Sequence, residues 1–310
     1  MIDKKSQLQV IKSDINPRSI AIALETLYPS WYKGSINDMG DTDKVRGNLV
    51  LQSIDAALNR GYQVLVADGD SSLEFKKELA NRGVVIINRT KKARSGARGQ
   101  LLEASSVIPE VQVIVLTAPE KVSLVESCIP LLAKPILAGE ADIVVPARDE
   151  ALFTASYPDY MHDSEVDANK KYNKILHEFE ILPEEENLDF FFGPTVLRND
   201  PDVISLFLGK IELERDRLSV GIRKYVDPDD FSNSPIFAIV KALQTGLKVR
   251  GVEVPFTYPE TQRENEMIDR DVFVEKRKKQ KWGILDELVL YIRYLNNSND
   301  PKNVLKNPDY

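Results

Sequence analysis

The stretch Tyr62-Gln63-Val64-Leu65-Val66-Ala67-Asp68-Gly69-Asp70-Ser71-Ser72 decides the fold. Its first part is a short run of apolar and β-branched residues, the pattern of a strand buried on both faces. Its second part is turn chemistry, where Asp, Gly and Ser end the strand abruptly. The same grammar recurs on both sides. Upstream, Ser19-Ile20-Ala21-Ile22-Ala23-Leu24 reads as a first buried strand. Between the two, Val45, Leu49, Ile54 and Leu58 recur at near-helical spacing and predict a helix over 43–60. Asp41, Thr42 or Asp43 can cap it, and Gly61 stops it. Downstream, a helix over 73–81 leads through Arg82-Gly83 into a strand over 84–87. A helix over 100–107 and strands over 111–116 and 142–145 follow. Strands alternating with helices at this spacing predict an α/β fold, with a mainly parallel sheet covered by helices on both faces.

The second half reads differently. A helix is expected over 163–180, and Leu188 to Phe192 is a strand-like run ending at Gly193-Pro194. A helix around 235–245 stops at Gly246 and feeds a strand over 248–258. A long last helix is expected over 264–295, charged over 275–281 and apolar from Ile284 to Leu295. Its apolar end packs either on its own domain or on a second subunit, so the oligomeric state stays open. With no linker in view, the chain divides into a domain over 1–262 and a C-terminal helical extension over 263–310.

Composition narrows the function classes. The 310 residues are 43% hydrophobic and 29% charged, which supports a sizeable core and argues against wholesale disorder. The formal charge of -7 disfavours a nucleic-acid partner, which requires clustered cations. Lys91-Lys92-Ala93-Arg94, with Arg98 behind it, is a local basic run. Cys128 is the only cysteine, so neither an intrachain disulfide nor a cysteine metal site is available. His162 and His177 are the only histidines and lack ligand spacing. The segment Met1 to Lys12 is polar, and no apolar run approaches the ~20 residues that span a bilayer. The chain therefore reads as cytoplasmic, without a transmembrane segment.

In open parallel sheets ligands bind outside the carboxyl ends of the strands, where the strand order switches. The predicted strand ends carry Glu25, Asp68-Gly69-Asp70, the 94–99 segment, Thr117 to Lys121, and Pro146 to Asp149. Asp68 suits either a ribose or base edge, or a plain turn. Ser95-Gly96-Ala97-Arg98-Gly99 reads as a phosphate cradle at a helix N-terminus or as a surface loop. Arg94 and Arg98 are each able to pair with phosphate oxygens. Glu165, Asn169 and Asn173 share one helix face, which suits either sugar hydroxyls or plain solvation.

These motifs, in this order, resemble GT-A glycosyltransferases, the nucleotide-diphospho-sugar transferases grouped with glycosyltransferase family two and mannosylglycerate synthase. The resemblance covers about residues 18 to 260 and implies a Rossmann-like GT-A sheet. It makes 18–150 a nucleotide-binding half and 151–262 an acceptor half. In that family the end of the first strand touches the nucleotide, matched by Ala23-Leu24-Glu25. An Asp-Gly-Ser-like motif after the second strand holds base or ribose, matched by Asp68-Gly69-Asp70-Ser71. A Gly-rich basic segment opens the next helix, matched by Gly96-Ala97-Arg98-Gly99-Gln100. Ala242 to Val249 is similar to the family's late helix, glycine and strand. The segments Pro119 to Leu124, Val145 to Glu150 and Phe191-Phe192-Gly193-Pro194 are similar to a bacterial and fungal branch of the same superfamily.

Two places depart from the pattern. The metal-binding Asp-any-Asp is replaced by Thr117-Ala118-Pro119-Glu120-Lys121, which leaves Glu120 as the metal candidate for Mn or Mg. The place of the catalytic acid before the late glycine holds Pro235, with Asp229 and Asp230 nearby. The resemblance thus implies sugar transfer from a nucleotide-diphosphate donor to a hydroxyl on a small molecule or glycan. Asp189, Glu165 and Asp230 are the candidate bases. Ala23, Leu24, Glu25, Asp68, Arg94, Gly96, Arg98, Thr117, Glu120, Lys121 and Gly193 are the candidate donor-site residues. A non-catalytic nucleotide-sugar binder and a sugar nucleotidyltransferase are the alternatives.

Overall fold

A computed structural model describes residues 15–89, 94–208 and 235–296. The segments that carry Lys91, Lys92, Asp229 and Asp230 lie outside the described residues, as does the side chain of Arg94.

The first half follows a βα rhythm. It runs β1 (Ile20–Thr26), α1 (Thr42–Asn59), β2 (Gln63–Asp68), α2 (Leu73–Asn81), β3 (Val85–Asn88), α3 (Arg94–Ser106) and β4 (Val113–Thr117). Asp41 caps α1, its side chain accepting from the Lys44 amide at 3.1 Å. Gly61 ends that helix at φ +79°, a conformation in which a side chain would be strained. Next come α4 (Ile129–Leu137), β5 (Ile143–Arg148), α5 (Glu150–Ser156) and α6 (Asp159–Glu178). The chain continues through β6 (Thr195–Arg198) and α7 (Pro201–Leu208). It closes with α8 (Pro235–Gln244), β7 (Val249–Val254), α9 (Glu260–Ile268) and α10 (Arg270–Asn296).

The seven strands form one sheet in the order β3-β2-β1-β4-β6-β5-β7. Every adjacent pair is parallel except those made by β6, which runs antiparallel to both β4 and β5. The carboxyl ends of the other six strands therefore share one edge, and the order reverses between β1 and β4. Alternate side chains feed two cores, as strand geometry requires. Ala21, Ala23, Leu65, Ile114 and Val145 pack under α3, α6, α8 and α10. Ile22, Leu24, Val66, Val115 and Val144 pack under α1, α2 and α4.

Four expectations are corrected. The helix expected over 100–107 begins at Arg94, so the Gly-rich segment is helical and Ala97 sits fully in the core. Leu188 to Phe192 is loop and turn, and the strand lies after Gly193-Pro194. The strand expected over 248–258 ends at Val254. The long last helix is two helices, broken at Asp269 (φ -110°, ψ 44°). The apolar end of α10 packs on its own domain: Leu285, Leu288, Leu290 and Ile292 are buried, and Tyr291 stacks on Phe237 at 4.6 Å.

Candidate functional site

Polar side chains are buried along the carboxyl edge in two groups. The first surrounds the ends of β1 and β2. Asp68 is 2% exposed and accepts from the Thr26 hydroxyl at 2.7 Å and the Ser71 hydroxyl at 2.5 Å, both on Oδ1. Its Oδ2 is buried and accepts no hydrogen bond from the described residues; Lys76 stands 3.9 Å from it. Glu25 pairs with Arg98 of α3 at 2.5 Å. Because β1 runs on to Thr26, Ala23 and Leu24 lie inside the strand, one in each core, and Glu25 and Thr26 form its edge.

The second group surrounds the ends of β4 and β5. Arg148 is the last residue of β5, and its side chain is 1% exposed. It donates twice to Asp189, from Nε and Nη2, each at 2.7 Å, and from Nη1 to Glu165. Its guanidinium lies over Phe153 at 3.7 Å. Burial opposes its charge, but Asp189 and Glu165 outweigh burial and hold it protonated. Glu165 also receives Arg277 from α10 at 3.2 Å. The expected polar stripe on α6 is therefore turned inward: Glu165 is 5% exposed and Asn173 4%. Asn173 exchanges two hydrogen bonds with the Leu188 backbone, each at 2.9 Å. Asn169 donates to Asp189 at 2.6 Å and accepts from the Phe191 amide at 3.2 Å. The stripe thus fixes the loop that presents Asp189. Gly193, at φ +93°, turns the chain from that loop into β6.

The segment after β4 joins the two groups. Thr117 is nearly buried, and its hydroxyl donates to the Ala118 carbonyl at 3.2 Å. Glu120 accepts from the Tyr28 hydroxyl at 3.0 Å and stands 3.9 Å from Arg46. Arg46 in turn pairs with the fully buried Glu266 of α9 at 2.7 Å, which also accepts from Tyr258 at 2.9 Å. Lys121 is half-buried, with Nζ over Phe192 at 4.3 Å and over Phe256 at 4.9 Å. Burial pushes its ammonium down to about 7, Arg148 adds to that push, and Glu165 opposes it.

Arg148, Arg277, Arg46 and Glu266 were not among the sequence candidates. Arg148 carries a signal, an arginine ending an apolar strand run. Arg277 and Glu266 are far from their partners along the chain and carry none.

A divalent cation needs several oxygen ligands aimed at one point. Among the described residues no three His, Cys, Asp or Glu side chains are grouped to hold one. Glu120, the metal candidate, is engaged by Tyr28 and faces Arg46, with Lys121 adjacent. This donor set does not fit a divalent metal.

The fold is α/β, with buried polar side chains gathered at the carboxyl edge beside a switch in strand order. No protein-family model matches the chain, and no curated protein does. Among solved structures it is similar to glucosyl-3-phosphoglycerate synthase from Mycobacterium tuberculosis. In the complex with Mn2+, UDP and glucosyl-3-phosphoglycerate, the identity is 12% and the TM-score 0.46, over 88% of this chain and 83% of that one. In the UDP complex of the same enzyme, the values are 12% and 0.47 over the same shares. A mycobacterial protein matches at 14% identity and a TM-score of 0.46, over 80% and 68%. Likenesses at this level leave the functional assignment to the residues of this chain. Among the described residues no helix is long and apolar enough to cross a membrane.

Proposed function

We propose that this chain is a GT-A-type transferase that moves a sugar from a nucleotide-diphosphate donor to a hydroxyl group, at the carboxyl edge beside the β1–β4 switch. One observation carries the reading: buried polar side chains converge on that edge, and among the described residues Oδ2 of Asp68 there accepts no hydrogen bond. A buried acceptor without a donor is costly, and a ribose hydroxyl or base N–H would satisfy it. Glu25 with Arg98 flanks the same edge, and Arg94, whose backbone opens α3, is kept as a candidate phosphate ligand from the sequence. Thr117 and Gly193 bound the site across the switch.

On the β5 side, Asp189 and Glu165 are proposed to act on the sugar-accepting hydroxyl. Both are engaged by Arg148. A base role therefore requires one of these pairs to open as substrate binds, and Asp230 is the remaining candidate.

The test is thermal unfolding against nucleoside diphosphates and their sugars, because a ligand that binds the native state raises the midpoint. A shift with one base supports the donor site; no shift with any of them removes it. The engaged carboxylates also favour a second reading, a nucleotide-sugar binder without turnover. Donor binding with no sugar release across varied hydroxyl compounds selects that reading over the transferase.

A further inference from the structure

We propose that Lys121 receives the diphosphate of the bound nucleotide, in the place where a divalent metal would otherwise sit. This inference rests on the nucleotide reading above. Lys121 follows the end of β4, the strand beside the reversal in sheet order, and its amide closes a turn on the Ala118 carbonyl at 3.3 Å. Its ammonium contacts two aromatic faces but, among the described residues, no carboxylate lies within 4.0 Å of it.

The groups facing Lys121 explain why. Glu120, its neighbour, is taken by Tyr28. Glu165 from α6 is taken by Arg148 and Arg277. Those two guanidinium groups, from β5 and α10, add positive potential around the ammonium. Aromatic faces attract a cation but supply neither a counter-charge nor a strong hydrogen-bond acceptor. The space beside the Lys121 ammonium therefore suits an anion. A diphosphate supplies multiple oxygens and gains charge as the sugar leaves, so a fixed ammonium beside it favours the departed state.

The same surroundings disfavour a metal. A hard cation needs oxygens with free lone pairs, whereas the carboxylates here are engaged and the neighbours are cationic. One point charge on a half-buried stem does the metal's electrostatic work without its coordination shell.

The experiment is calorimetric binding of UDP, GDP, ADP and CDP, each against its nucleoside, in EDTA and then in Mn2+. Wild type is compared with Lys121→Met and Lys121→Arg. The expected result is that one diphosphate binds wild type equally in EDTA and in Mn2+. Lys121→Met should weaken that diphosphate about 10- to 100-fold. It should leave the nucleoside within about threefold, and Lys121→Arg should restore most of the loss. Diphosphate binding that appears only with Mn2+ overturns the proposal while leaving the nucleotide site standing, and that arm needs no variant to fold. Equal diphosphate affinity in Lys121→Met overturns it likewise. Failure of every diphosphate and every nucleoside to bind wild type removes the nucleotide reading itself, and this inference with it.

Discussion

The two ends of the sheet treat charge in opposite ways. At the amino end, Arg198 pairs with Asp142 at 3.0 Å and with Asp200 at 3.4 Å while its own side chain stays 40% exposed. At the carboxyl end, Arg148 donates to both Asp189 and Glu165 at 1% exposure. Pairs that keep their solvent add little to stability. Pairs taken out of water lose hydration that the partner only partly restores. A fold that needed only stability would have built both ends like the first. The buried charge at the carboxyl end marks the end where ligand chemistry is expected, as the sheet's topology independently indicates.

The largest expected effect breaks this comparison on the buried side. Arg148→Met removes the buried cation that Glu165 and Asp189 share. It should destabilise the fold by about 3–5 kcal/mol in denaturant unfolding. A loss below about 1 kcal/mol would mean the network is solvated like the amino end. Asp68→Ala comes next: losing the carboxylate that gathers Thr26 and Ser71 should weaken nucleotide binding about tenfold, read by calorimetry. Lys121→Met has the opposite sign for stability. Removing an ammonium that is taken from water with no carboxylate in contact among the described residues should raise the unfolding free energy by about 0.5–2 kcal/mol while diphosphate affinity falls. A site residue that costs stability sharpens the contrast; a neutral or destabilising result would make Lys121 a packing residue. The smallest effect belongs to Arg198→Ala, expected to cost less than about 1 kcal/mol and to leave nucleotide binding unchanged.

What the sequence revealed depended on how local the determinant was. β1, α1, β2 and α2 are written in local apolar runs or periodic patterns, and their expected bounds fall within two residues of those found. α4 escaped because Pro130 and Pro135 broke its periodicity, although the first sits in the opening turn, where a proline is tolerated. β6 is four residues long, and the apolar run before it drew the strand reading to a loop that Asn169 and Asn173 hold in place. The break at Asp269 has no glycine or proline to announce it.

The site divides in the same manner. The placement of Glu25, Asp68 and Lys121 at strand ends was legible because strand ends are local features. Arg277 stands in a run of exposed lysines and glutamate, and only the docking of α10 on α6 distinguishes it. Arg46 and Glu266 meet from α1 and α9, a pairing that no local pattern encodes.

The most direct test of the central claim, that the carboxyl edge holds a nucleotide, is the thermal midpoint of wild type and Asp68→Ala across UDP, GDP, ADP and CDP in EDTA. The account predicts a rise with one diphosphate in wild type and a much smaller rise in the variant. An equal rise in both proteins would put the ligand elsewhere, and no rise in either would contradict the nucleotide site altogether.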